Sequence, residues 1–304
     1  MKDKFRGLWP AMLTPVDDQG APELKELEKL TSRLISEDLD GLYILGSTGQ
    51  GVLFTEEQRK KVTEVVCGVT AKQVPVIVQV GSLTTAESVR LAIHAARSGA
   101  DGVSSVGPIY FSGSAEMALE HYRSIAHATE LPFFPYQLGD RSIPGDTFKF
   151  IDALMEIPTV TGMKLTTNHL LEISTIFNYA GDRLKLFSGS DELLCHASLC
   201  GTVGAIGSMY NLWGKACKYT LEEFTMGNYE LTKRFMLSFQ EVIQLILPNI
   251  WTFLRSAMKL KYQIDIGRSV APLGNVSKEW DEATVRNLVE KIDVFAESLK
   301  QQQS

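Results

Sequence analysis

The sequence predicts a (β/α)8 barrel that carries a C-terminal helical extension. Short apolar runs alternate with amphipathic stretches almost from end to end, and eight of these runs precede residue 210. The runs are continuously apolar rather than alternating, which is typical of parallel strands buried on both faces. Eight strand–helix units over roughly 210 residues fit such a barrel, and an open doubly wound sheet is the alternative.

The strands are predicted from short apolar segments that recur at the spacing of strand–helix units. Each segment is followed by small or polar residues, where a parallel strand ends and a connecting loop begins. In chain order, the predicted strands cover residues 7–15, 41–46, 74–81, 102–107, 131–138, 159–164, 184–188 and 203–207.

The helices are predicted from amphipathic stretches, several of which begin with a capping residue. Thr55 is followed by two glutamates, and Thr84 is followed by Glu87 at the spacing of a capping box. The first four predicted helices cover residues 21–37, 55–70, 84–98 and 114–129. Beyond residue 207 the pattern stays helical, with segments at 229–247, 251–262 and 278–300.

The chain shows no linker, low-complexity segment or change in composition that would divide it. We therefore expect residues 1–210 to supply the barrel strands and their helices. Residues 211–304 are expected to form the last barrel helix and an extension that belongs to the same structural unit. The extension is predicted to pack against the barrel or to carry a subunit contact.

Composition excludes several classes of protein. The chain of 304 residues is 44% hydrophobic and 22% charged, which is ordinary for a soluble globular protein. A formal net charge of −6 argues against nucleic acid or an anionic membrane as the main partner. No apolar run approaches the ~20 residues that span a bilayer, and the N-terminus lacks the apolar segment of a secretory signal.

The four cysteines have no CxxC spacing and no nearby histidine pattern. This favours free thiols in a reducing compartment over disulfides or a metal site. A cytoplasmic location is therefore expected.

Lys164 is the most informative residue, because it ends a predicted apolar strand. Burial disfavours the ammonium form of a lysine, and the neutral amine can attack a ketone to form a Schiff base. The alternative is a lysine at the strand end that reaches solvent or pairs with a carboxylate.

The segment after the second strand (residues 46–51, GSTGQG) is a candidate anion site. Its glycines allow a tight turn, and Ser47 and Thr48 could cradle a small anion together with backbone N–H groups. A carboxylate fits better than a phosphate, because the sequence has neither a Walker lysine nor a GxGxxG motif. The alternative is a plain turn rich in small residues.

Other polar residues also lie at strand ends. Tyr136 could shuttle protons if an acceptor is near, or it could be a core tyrosine with one hydrogen bond. Asp191 and Glu192 could bind the hydroxyls of a polyol, or they could merely favour the start of the next helix. Ser208 follows the eighth strand.

Taken together, these motifs resemble the N-acetylneuraminate lyase/dihydrodipicolinate synthase family. The resemblance rests on their order: GSTG-x-G after the second strand, Tyr136 after the fifth, G-x-K at the sixth and G-x-D-E at the seventh. It runs unbroken from about residue 7 to residue 207 and more loosely into the C-terminal helices. Barrel enzymes place their active sites at the C-terminal ends of the strands, where these residues are expected.

The resemblance implies a pyruvate-dependent class I aldolase. Lys164 would form the Schiff base with pyruvate, Ser47 and Thr48 would bind the pyruvate carboxylate, and Tyr136 would relay protons. No metal or other cofactor is expected, because the iminium itself withdraws electrons. Tyr110 lies where the family often lends a tyrosine to a neighbouring subunit, which implies a homotetramer built from dimers; the alternative is an exposed aromatic residue without a catalytic part.

The lyase branch is the better match for the second substrate. Residues in the family's positions for the glycerol-like tail of a sugar acid are Thr166, Gly189, Asp191, Glu192 and Ser208. The resemblance therefore favours cleavage of N-acetylneuraminate to N-acetylmannosamine and pyruvate.

Three departures keep other activities open. Residues 137–142 (QLGDRS) replace the loop in which the family usually carries YNxP, and Gln50 replaces a glutamate. Arg141 aligns with the arginine that binds the carboxylate of the aldehyde in the synthase branch. The alternatives are a synthase-type condensation with an acidic aldehyde, and an aldolase or dehydratase for another 2-keto sugar acid. A non-catalytic pyruvate-binding protein is a further alternative, because fold alone does not fix function.

Overall fold

A computed structural model describes residues 4–111, 114–139, 145–273 and 279–301. It contains eight parallel strands joined by helices. The strands are β1 (Gly7–Pro10), β2 (Leu42–Ile44), β3 (Val76–Gln79), β4 (Gly102–Val106), β5 (Phe133–Leu138), β6 (Gly162–Thr166), β7 (Lys185–Ser188) and β8 (Gly204–Gly207).

The helices alternate with these strands and then continue into the extension. The barrel helices are α1 (Leu24–Ser36), α2 (Glu56–Thr70), α3 (Thr85–Arg97), α4 (Ala115–Ala126), α5 (Thr147–Met155), α6 (Leu170–Ala180), α7 (Leu194–Leu199) and α8 (Tyr210–Thr225). The extension consists of α9 (Tyr229–Ile246), α10 (Ile250–Tyr262) and α11 (Glu282–Gln301).

The strand order shows that the sheet is a barrel. The hydrogen-bonded order is β1-β8-β7-β6-β5-β4-β3-β2. The two ends of this order meet through a parallel bridge between Ala11 and Tyr43, where the Met12 N–H donates to the Tyr43 carbonyl at 2.8 Å. The predicted (β/α)8 barrel with a helical extension is confirmed.

Five strand ends differ from the prediction. The strands β2, β3 and β4 end one or two residues early, at Ile44, Gln79 and Val106. The first strand ends at Pro10, not at residue 15, because between Pro10 and Pro15 the backbone makes only the single bridge at Ala11. The sixth strand does not end at Lys164 but continues to Thr166. The continuation is held by β5, since Gln137 and Leu138 pair with Leu165 and Thr166.

The predicted helix starts at Thr55 and Thr84 are confirmed. The Thr55 hydroxyl accepts a hydrogen bond from the Gln58 N–H, and the Gln58 side chain accepts one from the Thr55 N–H. The capping box therefore uses Gln58 rather than the two glutamates. Thr84 caps α3 by accepting from the Glu87 N–H.

The barrel interior is apolar at one end and polar at the other. Side chains of a strand alternate between its two faces, so Phe134 and Tyr136 of β5 both point inward. Phe134 belongs to a cluster of buried interior side chains that also includes Phe5, Trp9, Ala11, Tyr43, Ile77, Phe187 and Ile206. Tyr136, one inward position further along β5, pairs with Lys164 of β6. The side chains of this cluster thus fill the barrel interior next to the polar residues at the C-terminal ends of the strands.

The extension packs on the barrel at a break in α8. Trp213 has non-helical dihedral angles (φ −127°, ψ 26°), which free carbonyl groups in the first turn. The Tyr262 hydroxyl donates to the Leu212 carbonyl at 2.8 Å, and Lys261 donates to the same oxygen. Arg33 of α1 donates to the Asn211 carbonyl at 2.6 Å. Helices α1 and α10 therefore stabilise the segment that follows β8.

Within the described residues, no helix is long and apolar enough to cross a membrane.

Candidate active site

Lys164 lies inside the barrel on β6 with only 5% of its surface exposed. Its Nζ lies over two aromatic rings, 4.4 Å from the centroid of Tyr136 and 4.9 Å from that of Tyr43. Among the residues that the structure describes, no carboxylate forms an ion pair with this nitrogen. The amine is therefore held by rings rather than by a counter-ion.

Tyr136 is placed beside Lys164 by the strand register. Direct neighbours on parallel strands point to the same face of the sheet, and Tyr136 pairs with Lys164. The hydroxyl of Tyr136 lies 3.2 Å from Oγ1 of Thr166, and either oxygen can be the donor. The predicted proton-relay residue, the predicted Schiff-base lysine and Thr166 thus form one group.

Gly189 keeps space open next to the amine. A Cβ atom at this position would overlap Thr166 Oγ1 and lie 2.9 Å from Lys164 Cε. The backbone of Gly189 is anchored, since its N–H donates to the Leu165 carbonyl at 2.7 Å. A side chain at position 189 would therefore displace Lys164 or Thr166.

The loop after β2 brings Thr48 to this end of the barrel. Thr48 Oγ1 lies 2.6 Å from Ser208 Oγ, which follows β8. Thr48 is buried, whereas Ser47 is exposed. The hydrogen bond joins the predicted anion loop to the end of the eighth strand, so residues far apart in sequence meet at this end of the barrel.

Asp191 is buried against the turn that follows β8. Its Oδ2 accepts a hydrogen bond from the Met209 N–H at 3.0 Å. Burial raises the pKa of this carboxyl from 3.8 to about 7, and the negative charge of Glu192 adds to the effect. Gly207 makes the approach possible, because a Cβ atom there would overlap Asp191 Oδ1. Asp191 therefore holds the residue next to Ser208.

Glu192 is half-buried next to Asp191. Its backbone carbonyl accepts a hydrogen bond from Gln240 Nε2 of α9 at 2.8 Å. Its carboxylate forms no ion pair within the described part of the chain, which leaves its oxygens available to accept hydrogen bonds.

The comparison with protein families agrees with this geometry. The sequence profile of the dihydrodipicolinate synthetase family matches residues 4–291. The chain belongs to this family.

Several of the proteins that this chain resembles are named as N-acetylneuraminate lyases or sialic acid aldolases. An N-acetylneuraminate lyase from Shigella boydii is 30% identical over 282 residues, which cover 92% of this chain and 95% of the lyase. The native structure of an N-acetylneuraminate lyase from Aliivibrio salmonicida is 26% identical and superposes with a TM-score of 0.86, covering 97% of this chain and 98% of the other. A catalytic-lysine mutant of a Ruminococcus gnavus sialic acid aldolase shares the fold, with a TM-score of 0.91 at 23% identity over 98% of this chain and 99% of the other.

Two residues among the departures from the family pattern, Gln50 and Gln137, have structural roles. Gln50 adopts a left-handed backbone conformation (φ 56°), and its Oε1 accepts a hydrogen bond from the Val270 N–H at 2.7 Å. Gln137 points away from the barrel interior, where its Nε2 donates to the Tyr122 hydroxyl of α4 at 2.8 Å. Neither side chain contacts Lys164.

Two predicted site residues are not brought to Lys164 within this chain. Tyr110 lies in the loop after β4 with 80% of its surface exposed, packed edge-on against Phe111 at 5.0 Å between ring centroids. Arg141 lies outside the described residues, so its predicted role stays a prediction.

Two buried residues of the site were not predicted. Tyr43 is an inward residue of β2, and Lys164 Nζ lies over its ring. Its position on this face follows from the alternation of side chains along the strand. Asn211 donates from Nδ2 to the carbonyls of Ala11 and Ser208 and accepts from the Leu13 N–H. An asparagine shortly after a strand gives no sequence signal of this role.

Proposed function

We propose that this chain is a Schiff-base-forming class I aldolase that cleaves N-acetylneuraminate to N-acetylmannosamine and pyruvate. The observation that carries the proposal is the setting of Lys164, a buried lysine over two aromatic rings and beside the Tyr136–Thr166 pair. The relatives named as N-acetylneuraminate lyases support the choice of substrate.

The proposed reaction starts at the amine of Lys164. The amine attacks the ketone of the substrate's pyruvyl group, and loss of water leaves an iminium. The iminium withdraws electrons, so the bond between its neighbouring carbon and the hydroxyl-bearing carbon beyond can break. The aldehyde sugar departs, and an enamine remains on Lys164. Protonation and hydrolysis of the enamine then release pyruvate and free the amine.

Tyr136 is the proposed proton relay. Cleavage requires the substrate hydroxyl to lose its proton as the aldehyde forms. The Tyr136 hydroxyl is close to Lys164 and is oriented by Thr166 Oγ1 at 3.2 Å. A positioned phenol that passes a proton in this way contributes to the rate by general acid–base catalysis.

Substrate binding is proposed for polar residues at the C-terminal ends of the strands. Ser47 and Thr48 would bind the carboxylate next to the ketone. The hydroxyl-rich tail would be bound by Thr166, Gly189, Asp191, Glu192 and Ser208. The hydrogen bond between Thr48 and Ser208 supports this division, because it places the two groups side by side. Arg141 is retained as a proposed contact for an acidic second substrate.

A cytoplasmic homotetramer is also part of the proposal. All four cysteines are free thiols, as expected in a reducing compartment. The exposed ring of Tyr110 supports its proposed role in the site of a neighbouring subunit.

The activity is tested by measuring pyruvate release from N-acetylneuraminate at several substrate concentrations. Other 2-keto sugar acids are assayed in parallel, and condensation of pyruvate with an acidic aldehyde is assayed in the opposite direction. The proposal expects the highest kcat/KM with N-acetylneuraminate and no turnover by Lys164→Ala. A higher kcat/KM with an acidic aldehyde would contradict the proposed substrate and direct attention to Arg141.

A further inference from the structure

We propose that the ring of Tyr43, and not its hydroxyl, is a catalytic group that stabilises the cationic iminium formed at Lys164. This inference rests on the proposed Schiff-base chemistry and assigns a role that the motifs around Lys164 do not indicate.

The geometry places the Tyr43 ring against the reacting nitrogen. Lys164 Nζ lies over both rings, at 4.9 Å from the Tyr43 centroid and 4.4 Å from the Tyr136 centroid. Both distances are within the ~6 Å at which a cation is attracted to the face of an aromatic ring. The two rings come from β2 and β5, so they contact the nitrogen from different parts of the barrel wall.

The hydroxyl of Tyr43 is already engaged on the far side of the ring. It donates to Ser104 Oγ at 3.0 Å, and Ser104 Oγ in turn donates to the Phe134 carbonyl at 2.6 Å. Tyr43 is fully buried, and burial raises its pKa well above the usual range of a phenol. The hydroxyl is therefore occupied by this chain of hydrogen bonds and does not take part in proton transfer.

A positive charge appears at this nitrogen during the reaction and needs a partner. The amine adds to the ketone carbon to give a carbinolamine. The hydroxyl of the carbinolamine then leaves as water with one proton from solvent, and the nitrogen lone pair forms the C=N bond. The iminium keeps one N–H and one positive charge. In the described part of the chain no carboxylate forms an ion pair with Lys164 Nζ. Asp191 acts on this nitrogen only through electrostatic attraction, whereas the faces of Tyr43 and Tyr136 contact it.

Fluorinated residues at position 43 test the role of the ring without removing it. Phenylalanine and its mono-, di- and trifluoro analogues replace Tyr43, because each fluorine weakens the negative potential of the ring face while the packing is retained. Apparent affinity for pyruvate is measured from the fraction of Lys164 trapped by borohydride at increasing pyruvate concentration. We expect Tyr43→Phe to stay within about twofold of the parent chain and the trifluoro analogue to lose roughly tenfold, with a graded series between them.

Two controls separate the ring from its surroundings. The same fluorinated series at Phe134, a ring of the same buried cluster, should leave pyruvate capture unchanged. Ser104→Ala removes the hydroxyl's partner but keeps the ring, so capture should also be retained. The melting temperature of each variant shows that it is folded at the assay temperature.

The outcomes distinguish this inference from the proposed function. Normal trapping with a flat series at position 43 would overturn the role of the ring and leave the Schiff-base function intact. Equal losses of pyruvate affinity in the fluorinated series at positions 43 and 134 would likewise overturn it, because such losses would arise from changed packing of the buried cluster. Absence of any adduct on the parent chain would overturn the Schiff-base function and this inference with it.

Discussion

Lys164 lies where burial makes a positive charge unfavourable, although the proposed reaction creates a positive charge on its nitrogen. It is almost fully buried, and a charge in such a place is unfavourable unless something contacts it. The contacts come from the faces of Tyr43 and Tyr136, which attract a cation without neutralising it. The rings therefore suit a nitrogen that must be an amine at one step and a cation at the next.

Tyr136→Phe is predicted to separate Schiff-base formation from turnover. The ring stays over Lys164, so trapping with pyruvate should continue. Loss of the hydroxyl should lower kcat for N-acetylneuraminate cleavage on the order of 10²–10⁴-fold, as for a general acid–base group. Steady-state kinetics of the variant are compared with those of Tyr179→Phe, which removes the hydroxyl of a surface tyrosine bonded to Asp152. Near-normal turnover by Tyr136→Phe would show that the tyrosine only packs.

Gly189→Ala is predicted to impair the site while the fold persists. The added methyl group would overlap Thr166 Oγ1 and crowd Lys164 Cε, so one of these side chains must move. Pyruvate trapping at Lys164 should fall, and far-UV circular dichroism should stay unchanged. The matched control is Gly68→Ala on α2, where an added Cβ meets no atom within 4 Å and helix propensity favours alanine by about 1 kcal/mol. Undiminished trapping by Gly189→Ala would contradict the proposed packing around the amine.

The raised pKa of Asp191 predicts how stability varies with pH. The folded chain holds this proton up to about pH 7, whereas the unfolded chain releases it near pH 3.8. Between these values the unfolded state binds fewer protons, so this group makes the free energy of unfolding fall as pH rises. This loss of unfolding free energy is absent at low pH and complete above about pH 7, where it is at most on the order of 4 kcal/mol.

Asp191→Asn removes this titration. The parent chain loses stability between pH 4 and pH 7, whereas the variant does not lose it through this group. The free energy of unfolding of the variant minus that of the parent chain should therefore rise from pH 4 to pH 7 and level off above that. Urea unfolding at a series of pH values measures the difference, with Asp182→Asn on the surface as the matched control. A difference that does not vary with pH, or that falls as pH rises, would contradict the assignment.

The turn between β8 and α8 is the element that joins the two sides of the site. Asp191 holds the Met209 N–H, and Ser208 contacts Thr48. Asn211 ties the same turn to the segment after β1 through Leu13 and Ala11. The break at Trp213 is stabilised from behind by α1 and α10. The segment that begins with Ser208 is thus held by contacts from five separate parts of the chain.

Asn211→Ala is predicted to lower both stability and substrate affinity. The fully buried amide makes three hydrogen bonds, and its loss leaves the Leu13 N–H without this partner. The free energy of unfolding should fall by about 3 kcal/mol, and the KM for N-acetylneuraminate should rise more than kcat falls. Chemical denaturation and steady-state kinetics measure the two effects. Asn178→Ala, on the exposed face of α6, should change neither.

The elements that could be predicted from the sequence are those specified by local signals. Apolar runs marked all eight strands, and Thr55 and Thr84 marked two helix starts. The end of β6 could not be predicted, because pairing with β5 carries the strand past a charged residue. The positions of Tyr43 and Asn211 depend on contacts with residues distant in sequence, and local patterns do not report such contacts.

One end of the barrel is filled by apolar side chains, and the other end carries the polar groups. Aromatic residues such as Trp9, Phe134 and Phe187 fill the apolar end. The polar end brings together the residues from β2, β5, β6, β7 and β8 that the motifs pointed to, as expected for a barrel of this type. Helix α10 of the extension donates hydrogen bonds to the segment after β8, so the extension stabilises the polar end of the barrel. Architecture and chemistry therefore converge on Lys164.

In the proposed reaction, Lys164 forms a covalent adduct with the pyruvyl group of N-acetylneuraminate. The most direct measurement is borohydride reduction in the presence of N-acetylneuraminate, with pyruvate in a parallel sample, followed by peptide mass spectrometry. Lys164→Ala and Lys185→Ala, a change on the neighbouring strand, are treated in the same way. We expect a reduced pyruvyl adduct on Lys164 in both samples, its loss in Lys164→Ala and its persistence in Lys185→Ala. An unmodified Lys164, or an adduct on another lysine, would overturn the proposed role of Lys164.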